Sequence, residues 1–355
     1  MDPLTHTLVG ASLAQTRFGR VPLGAATLVV GANLPDIDAA TYFLGGDFSL
    51  GFRRGWTHGV LAVAVLPPLL AWMMHHIDRI RCRRTPTATP VAFGRLLGLS
   101  SVAVLTHPAL DWMNTYGIRL LMPFDGRWFY GDALFIVDPW VWLLLGVSVV
   151  LAYSASRRQV VGWAVLGAIA TTLVSGVSGL PVALLALWCL GLALIAGLRV
   201  WGGLQPRLPL VATISLVLAA LYIASMVGGS RIAQLEVAQW AEDRGLGANR
   251  IMVSPRPADP FRRDVLFADD QHYHRLTYDW LASERVRPRG PETAIGDRHP
   301  AAMAALAAPG LRGFAAWTRF PSFAIEPLDD GYRVTITDVR VGGGTVELDP
   351  NLEPR

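Results

Sequence analysis

The segment LLGLSSVAVLTHPALDWMN, residues 96–114, joins an apolar stretch of membrane-helix length to ligand-type side chains at its end. A helix that crosses a bilayer needs about 20 predominantly apolar residues. His107 and Asp111 are four residues apart, so on a helix they lie on one face. Ionisable side chains in a membrane segment are costly and usually have a functional partner. The segment therefore predicts a membrane helix with a polar site at its end.

The composition extends this prediction to the first two thirds of the chain. The protein has 355 residues, of which 52% are hydrophobic and 16% charged, whereas about 25% of residues are charged in an average soluble domain. Six clear apolar segments and two weaker ones occur before residue 229. We therefore expect a mainly α fold, in which residues 1–228 form a polytopic bundle of about seven or eight membrane helices. The clear segments are 59–76, 96–113, 137–153, 160–177, 180–198 and 208–227, and the weaker ones are 4–16 and 22–34.

Residues 229–355 have no further apolar span and predict a small soluble α+β domain. Residues 230–244 have an amphipathic helical pattern, and several later segments alternate like strands. The Asp330-Gly331 pair is a hairpin turn signal between two of those strands. The predicted strands are DVLFAD, HRLTYDWL, FAAWTRF, FAIEPL and YRVTITDV.

Arginine placement predicts the orientation of the chain. The net charge of +4 comes from arginine, because the chain contains no lysine. Arginines cluster in loops near residues 17–20, 79–95, 157–158 and 199–207, which fall on one side if the helices alternate. The positive-inside rule makes that side cytoplasmic. We expect a multi-pass inner membrane protein whose ligand candidates and C-terminal domain face the periplasm. The scattered arginines do not predict nucleic-acid binding.

Four further ligand candidates lie near other ends of apolar segments on the same predicted side: His6, Asp36, Asp38 and His58. Each one alone has an ordinary explanation, such as helix capping by Asp36 or an interfacial role for His58. Asp36 and Asp38 do not share a helix face, yet both could approach one site from a turn. We favour Asp36 as the direct ligand and retain Asp38 as a ligand or as a residue that orients a histidine.

Arg54 stands four residues before His58, where its guanidinium could hold a phosphate group or contact a lipid headgroup. Asp2 is a possible accessory ligand. Asp138 could bind metal, pair with Arg119 or Arg127, or interact with a helix dipole. In the tail, His272 and His274 are interpreted as isolated surface histidines.

The three histidines and three aspartates form a mixed nitrogen and oxygen ligand set. Such a set suits zinc, with manganese or iron as alternatives, and holds one or two ions. A two-metal site with a bridging aspartate clamps both oxygens of a displaced phosphoryl group.

The motifs MDPLTHTLVGASLA, GANLPDIDA, RRGWTHGVLA and THPALDWMNTYGIRLLMPF resemble, in this order, the YdjM-type inner membrane metal-dependent hydrolases. The later VDPW and VSPRPADPFRRDVLF segments resemble that family as well. The family is similar, more distantly, to zinc-dependent phospholipase C and P1-type nucleases. That likeness implies that Asp111 bridges two ions, with Asp36, His58 and His107 on one and His6 on the other. The chain departs from those soluble enzymes because no histidine occurs between residues 108 and 271.

We expect a membrane-embedded hydrolase that cleaves a phosphoester with a metal-activated water, with Asp38, Arg54 and Asp111 as catalytic residues. The expected partners are the lipid bilayer and a phosphate-containing substrate, with a lipid or lipid-linked compound as one candidate. The family is also described as LexA-binding, but an outward tail does not favour a cytoplasmic partner. The alternatives are a transporter and a non-catalytic membrane scaffold or regulator with a structural metal.

Overall fold

A computed structural model describes residues 1–85 and 87–354 of the chain. Helices dominate the chain up to residue 242, and strands dominate after it. Short 3-10 helices occur at Leu34–Leu44, Gln205–Arg207 and Pro309–Leu311. The α-helices are α1 (Pro3–Gln15), α2 (Gly24–Asn33), α3 (Gly46–Phe52), α4 (Val60–Arg84), α5 (Phe93–Trp112), α6 (Pro139–Ala152), α7 (Arg157–Ser175), α8 (Val182–Trp201), α9 (Leu208–Glu242), α10 (Pro300–Leu306) and α11 (Arg312–Trp317).

The strands form two antiparallel sheets. One sheet has the order β1-β2-β3-β4, with β5 also paired to β3, and the other has the order β6-β7-β8. The strands are β1 (Arg250–Arg256), β2 (Asp259–Ala268), β3 (His272–Asp279), β4 (Val286–Pro288), β5 (Thr293–Ala294), β6 (Pro321–Leu328), β7 (Gly331–Asp338) and β8 (Gly342–Leu348).

The chain forms two compact units. The first unit comprises Met1–Ile37, Gly55–Ser230 and Ser254–Phe261, and the second comprises Asp38–Arg54, Arg231–Val253 and Arg262–Arg355. Segment 38–54 belongs to the second unit although the chain on both sides of it belongs to the first. Segment 254–261 belongs to the first unit although the chain on both sides of it belongs to the second. A single cut in the sequence does not describe this division.

Membrane-length helices are fewer than the sequence predicts. Within the described residues, four helical stretches are long and apolar enough to cross a membrane: Val60–Arg84, Arg157–Ser175, Val182–Trp201 and Gln205–Glu242. The prediction of seven or eight such helices is therefore not confirmed. Helices α1 and α2 have only 13 and 10 residues, so they extend about 20 and 15 Å, well short of a bilayer core of about 30 Å. Helix α6 is apolar but has 14 residues.

The predicted span 208–227 and the predicted amphipathic helix 230–244 form one continuous helix, α9, of 35 residues. In the tail, the predicted hairpin is confirmed, because β6 and β7 pair from Leu328–Gly331 to Pro321–Asp338. The predicted strand FAAWTRF is wrong: most of it is the helix α11, whose Phe314 and Trp317 are buried. Its apolar pattern is too short to distinguish a strand from about one and a half turns of helix.

Two glycines allow the short helices of the first unit to approach one another closely. A Cβ atom on Gly10 of α1 would lie 2.6 Å from the Leu28 carbonyl oxygen of α2. A Cβ atom on Gly31 of α2 would lie 2.7 Å from Ala103 Cβ of α5. Both separations are shorter than real side chains tolerate, so these positions need glycine. The close packing of α1, α2 and α5 determines where their ligand-type side chains meet.

Candidate metal centre

Helix α5 supplies two adjacent donors of the candidate site. Pro108 lies inside α5 without breaking it, so His107 and Asp111 share one helical face, and both are fully buried. His107 Nδ1 lies 2.6 Å from the Ala32 carbonyl oxygen. Since a carbonyl only accepts, Nδ1 carries the proton and the Nε2 lone pair is left for a cation. The prediction that His107 and Asp111 lie on one face of a helix is therefore confirmed.

His58 joins this pair from the loop that precedes α4. It is fully buried, and its Nε2 lies 3.1 Å from both His107 Nε2 and Asp111 Oδ2. Its Nδ1 lies 2.9 Å from Thr57 Oγ1, a hydrogen bond that orients the imidazole ring. The Nε2 atoms of both histidines thus point to the same place.

Asp36 completes the cluster from the 3-10 helix Leu34–Leu44, which directly follows α2. Its Oδ1 lies 3.7 Å from His107 Nε2. One donor atom from each of Asp36, His58, His107 and Asp111 lies within 4.8 Å of all the others. Ligands at about 2.0–2.1 Å around a tetrahedral ion are about 3.3 Å apart. The two imidazoles and two carboxylates fit a divalent cation in type, in separation and in charge.

Asp111 presents its two oxygens to different groups. Oδ2 faces His58, at 3.1 Å, and His107, at 3.5 Å. Oδ1 lies 3.3 Å from His6 Nε2 and contacts the amino group of Met1. His6 comes from the first turn of α1, is fully buried and stacks on His107 with the ring centroids 3.7 Å apart. The fold thus brings His6 to the far side of the Asp111 carboxylate.

Asp38 and Arg54 lie together in the second unit. The backbone N–H of Arg54 donates to Asp38 Oδ2 at 2.8 Å, and Arg53 Nε donates to Asp38 Oδ1 at 3.4 Å. Arg54 is buried and has a φ of 53°, a backbone conformation that is uncommon outside glycine. Asp38 therefore holds the backbone of this turn. The proposed roles of Asp38 as a ligand and of Arg54 as a phosphate-binding residue stay predictions.

Asp2 and Asp138 are helix caps. Asp2 accepts hydrogen bonds from the backbone N–H of Thr5 at 3.0 Å and from its hydroxyl at 2.6 Å. Asp138 accepts from the backbone N–H groups of Trp140 and Val141 at the start of α6, and from the Tyr222 hydroxyl at 3.0 Å. Of the alternatives for Asp138, the helix N-terminus is the one that the structure contains. N-terminal capping accounts for both carboxylates.

The interpretation of His274 as a surface histidine is wrong. His274 is buried in β3, and its ring stacks on Phe267 with the centroids 4.5 Å apart. Its Nε2 lies 2.7 Å from Asp269 Oδ2, and its Nδ1 lies 3.2 Å from Glu292 Oε1. Sequence alternation places His272 and His274 on one strand face, but it does not show that carboxylates from two loops pair with only one of them. His274 is held as a strand-to-loop contact of the second unit.

Sequence reasoning missed the groups that orient the histidines. The Ala32 carbonyl that binds His107 carries no side-chain signal, because a backbone group is common to every residue. Thr57 was visible as the residue directly before His58, and its hydroxyl has the chemistry to bind the neighbouring imidazole.

The chain is similar to known proteins mainly in its first half. The sequence profile of the family described as YdjM inner membrane protein matches residues 1–182, a range that contains the whole candidate centre. The chain is 24% identical to the uncharacterized protein YfhP of Bacillus subtilis (strain 168) over 166 residues, which make up 43% of this chain and 47% of YfhP. It therefore matches about half the length of this curated relative. No solved structure matches the chain.

Proposed function

The chain belongs to the YdjM family of inner membrane proteins, and we propose that it is a membrane-embedded hydrolase that uses a divalent metal to cleave a phosphoester. The observation that carries this proposal is the convergence of Asp36, His58, His107 and Asp111 within 4.8 Å. A buried carboxylate without a cation is costly, and this cluster places the buried Asp111 and the partly exposed Asp36 around two imidazole nitrogens. A divalent ion balances that charge.

A bound divalent ion supplies an activated water near neutral pH and polarises a phosphoryl oxygen. The chain's own residues prepare the place for that chemistry. His107 keeps its Nε2 unprotonated through the 2.6 Å contact of Nδ1 with Ala32, and Thr57 orients His58. The Asp36 side chain is 16% exposed, while those of the other donors are fully buried. Substrate and water would therefore approach on the Asp36 side.

The division of Asp111 between two sets of groups supports a second ion. His58 and His107 face Oδ2, whereas His6 and the Met1 amino group face Oδ1. When other ligand residues face each of its two oxygens, one carboxylate could serve both ions of a two-metal phosphoester-cleaving site. We propose that zinc, manganese or iron binds at the Oδ2 side and that His6 helps to hold a second ion.

We propose a phosphate-containing substrate drawn from the membrane, with Arg54 holding its anionic group. Two features support a lipid or lipid-linked substrate: the family is one of inner membrane proteins, and the cluster shares the first unit with membrane-length helices. We also propose that the site and the C-terminal domain face the periplasm, with the arginine-rich loops on the cytoplasmic side in support. A LexA-type partner is not part of this proposal.

The test is to purify the full chain, measure bound metal by elemental analysis, and assay phospholipids and a chromogenic phosphodiester. We expect one or two divalent ions per chain and hydrolysis that a chelator abolishes and added metal restores. A metal-free protein that retains its fold and does not rebind zinc, manganese or iron would contradict the proposal. A metal-loaded protein without turnover on any phosphoester would contradict the hydrolase part alone.

A non-catalytic protein with a structural metal is the second candidate, because His6, His58, His107 and Asp111 are fully buried. Structural sites are coordinatively closed, whereas catalytic sites keep a position for water or substrate. Binding of a small anion such as phosphate to the metal-loaded protein, followed spectroscopically with cobalt in place of zinc, separates the two. A transporter would instead move its substrate across liposomes.

A further inference from the structure

The first unit contains a second feature that the candidate metal centre does not use: an apolar cavity of about 430 Å³ between α6, α7 and α8. Its walls include Trp142, Trp163 and Trp188, together with leucine, alanine and glycine side chains. This volume lies within the range of about 300–1,000 Å³ that ligand pockets occupy. Apolar cavities of about 150 Å³ already bind hydrocarbon in preference to water. A cavity of this size and character is built for an apolar ligand.

The indole N–H groups of the three tryptophans already donate within the protein. Trp142 Nε1 donates to Thr5 Oγ1 at 3.0 Å, and Trp163 Nε1 donates to the Tyr153 carbonyl at 2.8 Å. Trp188 Nε1 donates to Thr171 Oγ1 at 3.0 Å. The indoles therefore offer ring surface to the cavity, and a ligand made of hydrocarbon leaves no hydrogen bond unmade.

One end of the cavity is cationic. Arg199, in the last turn of α8, lines the cavity beside Ser154. Its Nε donates to Ser154 Oγ at 2.6 Å and to the Ser154 carbonyl at 3.2 Å, as Nη2 also does. Within residues 1–85 and 87–354, Nη1 has no hydrogen-bond partner. A guanidinium anchored through Nε in this way presents its remaining N–H groups to an anion such as phosphate.

The opposite end of the cavity is not suited to an anion. Leu4 and Trp142 line that end, next to the acidic caps Asp2 and Asp138. Along α8 the lining runs from Trp188 to Val200, about 18 Å at 1.5 Å per residue. That length is close to the hydrocarbon depth of one bilayer leaflet, about 15 Å. Length, wall chemistry and charge at the two ends match one class of molecule.

We propose that the α6–α7–α8 cavity holds an acyl chain of an anionic phospholipid whose phosphate binds Arg199. The lipid comes from the surrounding membrane, and its tail fills the space between the tryptophans. This site is separate from the metal centre, so it does not depend on the proposed hydrolase activity.

The test uses native mass spectrometry of the full chain with equimolar phosphatidylglycerol and phosphatidylcholine of the same chain length. We expect one tightly held lipid, with phosphatidylglycerol favoured about tenfold, because the choline cation of phosphatidylcholine offsets the charge of its phosphate near Arg199. Arg199→Gln removes this preference while phosphatidylcholine still binds, and Arg158→Gln, which changes an exposed arginine at the start of α7, keeps it. Equal retention of the two lipids by the wild type would overturn the proposal.

Two glycines of α7 provide a matched pair for the tail. Gly167 lines the cavity and Gly162 does not, and an added Cβ meets no atom within 4 Å at either position. Leucine raises helix propensity at both. Gly167→Leu should lower lipid retention at least tenfold, and Gly162→Leu should leave it unchanged. If Gly167→Leu does not fold, Gly146→Leu on α6 fills the same space, because a Cβ there is 3.9 Å from Ile195. Equal retention by the lining and non-lining variants would overturn the site.

Discussion

The two compact units each bury an aspartate completely, and only one of the two carboxylates is surrounded by histidines. Asp338, in the second unit, accepts from Arg340 Nε at 2.8 Å and from the Thr318 hydroxyl at 2.9 Å. It also accepts from the backbone N–H of Arg319 at 2.8 Å. Asp111, in the first unit, faces the Nε2 atoms of His6, His58 and His107, and its Oδ1 also contacts the Met1 amino group. Both residues are 0% exposed, so burial does not distinguish them.

The difference lies in what the partners can do. A guanidinium carries a fixed charge and five donors, so Asp338 is neutralised and satisfied by the protein itself. An imidazole whose Nδ1 is protonated offers a lone pair at Nε2. Several such lone pairs repel one another and the carboxylate oxygens unless a cation lies between them. A buried carboxylate among histidines therefore indicates a cation site, whereas one with an arginine indicates a structural ion pair.

The largest expected effect separates the two aspartates directly. Asp111→Asn removes charge and one ligand from the centre, so we expect loss of bound metal and at least a thousandfold lower phosphoester hydrolysis, of the order seen when a principal electrostatic group is removed. Asp338→Asn should keep the metal-to-protein ratio but destabilise the second unit by about 3–5 kcal/mol, as for a broken buried pair. Metal analysis, turnover and hydrogen exchange measure these outcomes. Equal metal loss in both variants would contradict the assignment of Asp111 as a metal ligand and of Asp338 as a structural residue.

The next effect compares two buried histidines. His107→Ala deletes a donor that lies 3.5 Å from Asp111 Oδ2, and we expect the affinity for zinc to fall at least about a hundredfold. His274→Ala deletes a histidine that pairs with Asp269 and Glu292, and the zinc affinity should stay within twofold of the wild type. Competition with a fluorescent chelator measures both affinities. Metal loss on replacing His274 would show that the tail supplies a ligand.

A smaller effect distinguishes the two aspartates of the NLPDID motif. Asp36→Asn should weaken metal binding about tenfold to a hundredfold, because Asp36 is a donor in the cluster but is partly exposed. Asp38→Asn weakens the contacts to Arg53 and to the backbone of Arg54, so it should raise exchange in that turn with little change in metal affinity. If Asp38→Asn instead loses metal, Asp38 is a ligand as well.

The smallest effect is a pH dependence of the second unit. Burial by itself raises the pKa of Asp338, but the hydrogen bonds and charge of Arg340 and the backbone N–H groups hold that pKa well below its usual range. A lowered folded-state pKa adds stability that is fully present above the unfolded value of about 3.9 and is lost as pH falls through the folded value. Between pH 5 and pH 3 we expect about tenfold loss of exchange protection in β7. Unchanged protection would show that the pair contributes little.

Much of the candidate centre could be predicted because its signals are local. The spacing of His107 and Asp111 places them on one helical face, and the ligand residues stand at the ends of apolar segments. The number of membrane-length helices could not be predicted as well. Apolar composition marks α1, α2 and α6 as buried, but a short helix inside a bundle and a membrane span share that composition. Length and packing separate them.

The local sequence leaves some polar residues without a clear role, because it does not show which groups fold onto them. The QHYH motif favours an exposed His274, because nothing in it indicates that the carboxylates of Asp269 and Glu292 both pair with this residue. The sequence leaves three roles open for Asp138, and the structure selects helix capping, in which Trp140 and Val141 donate to the carboxylate together with the distant Tyr222 hydroxyl.

Residue order and spacing are sufficient to establish the family, the apolar first part, the pairing of His107 with Asp111 and the hairpin at Asp330-Gly331. These features depend on contacts between residues near in sequence, for which periodicity is a direct physical guide. Packing decides how closely Asp36 approaches the other donors and which oxygen of Asp111 His6 faces, and it forms the α6–α7–α8 cavity, which no sequence feature indicates. Those outcomes depend on close approaches such as the one at Gly31, which join segments far apart in the chain.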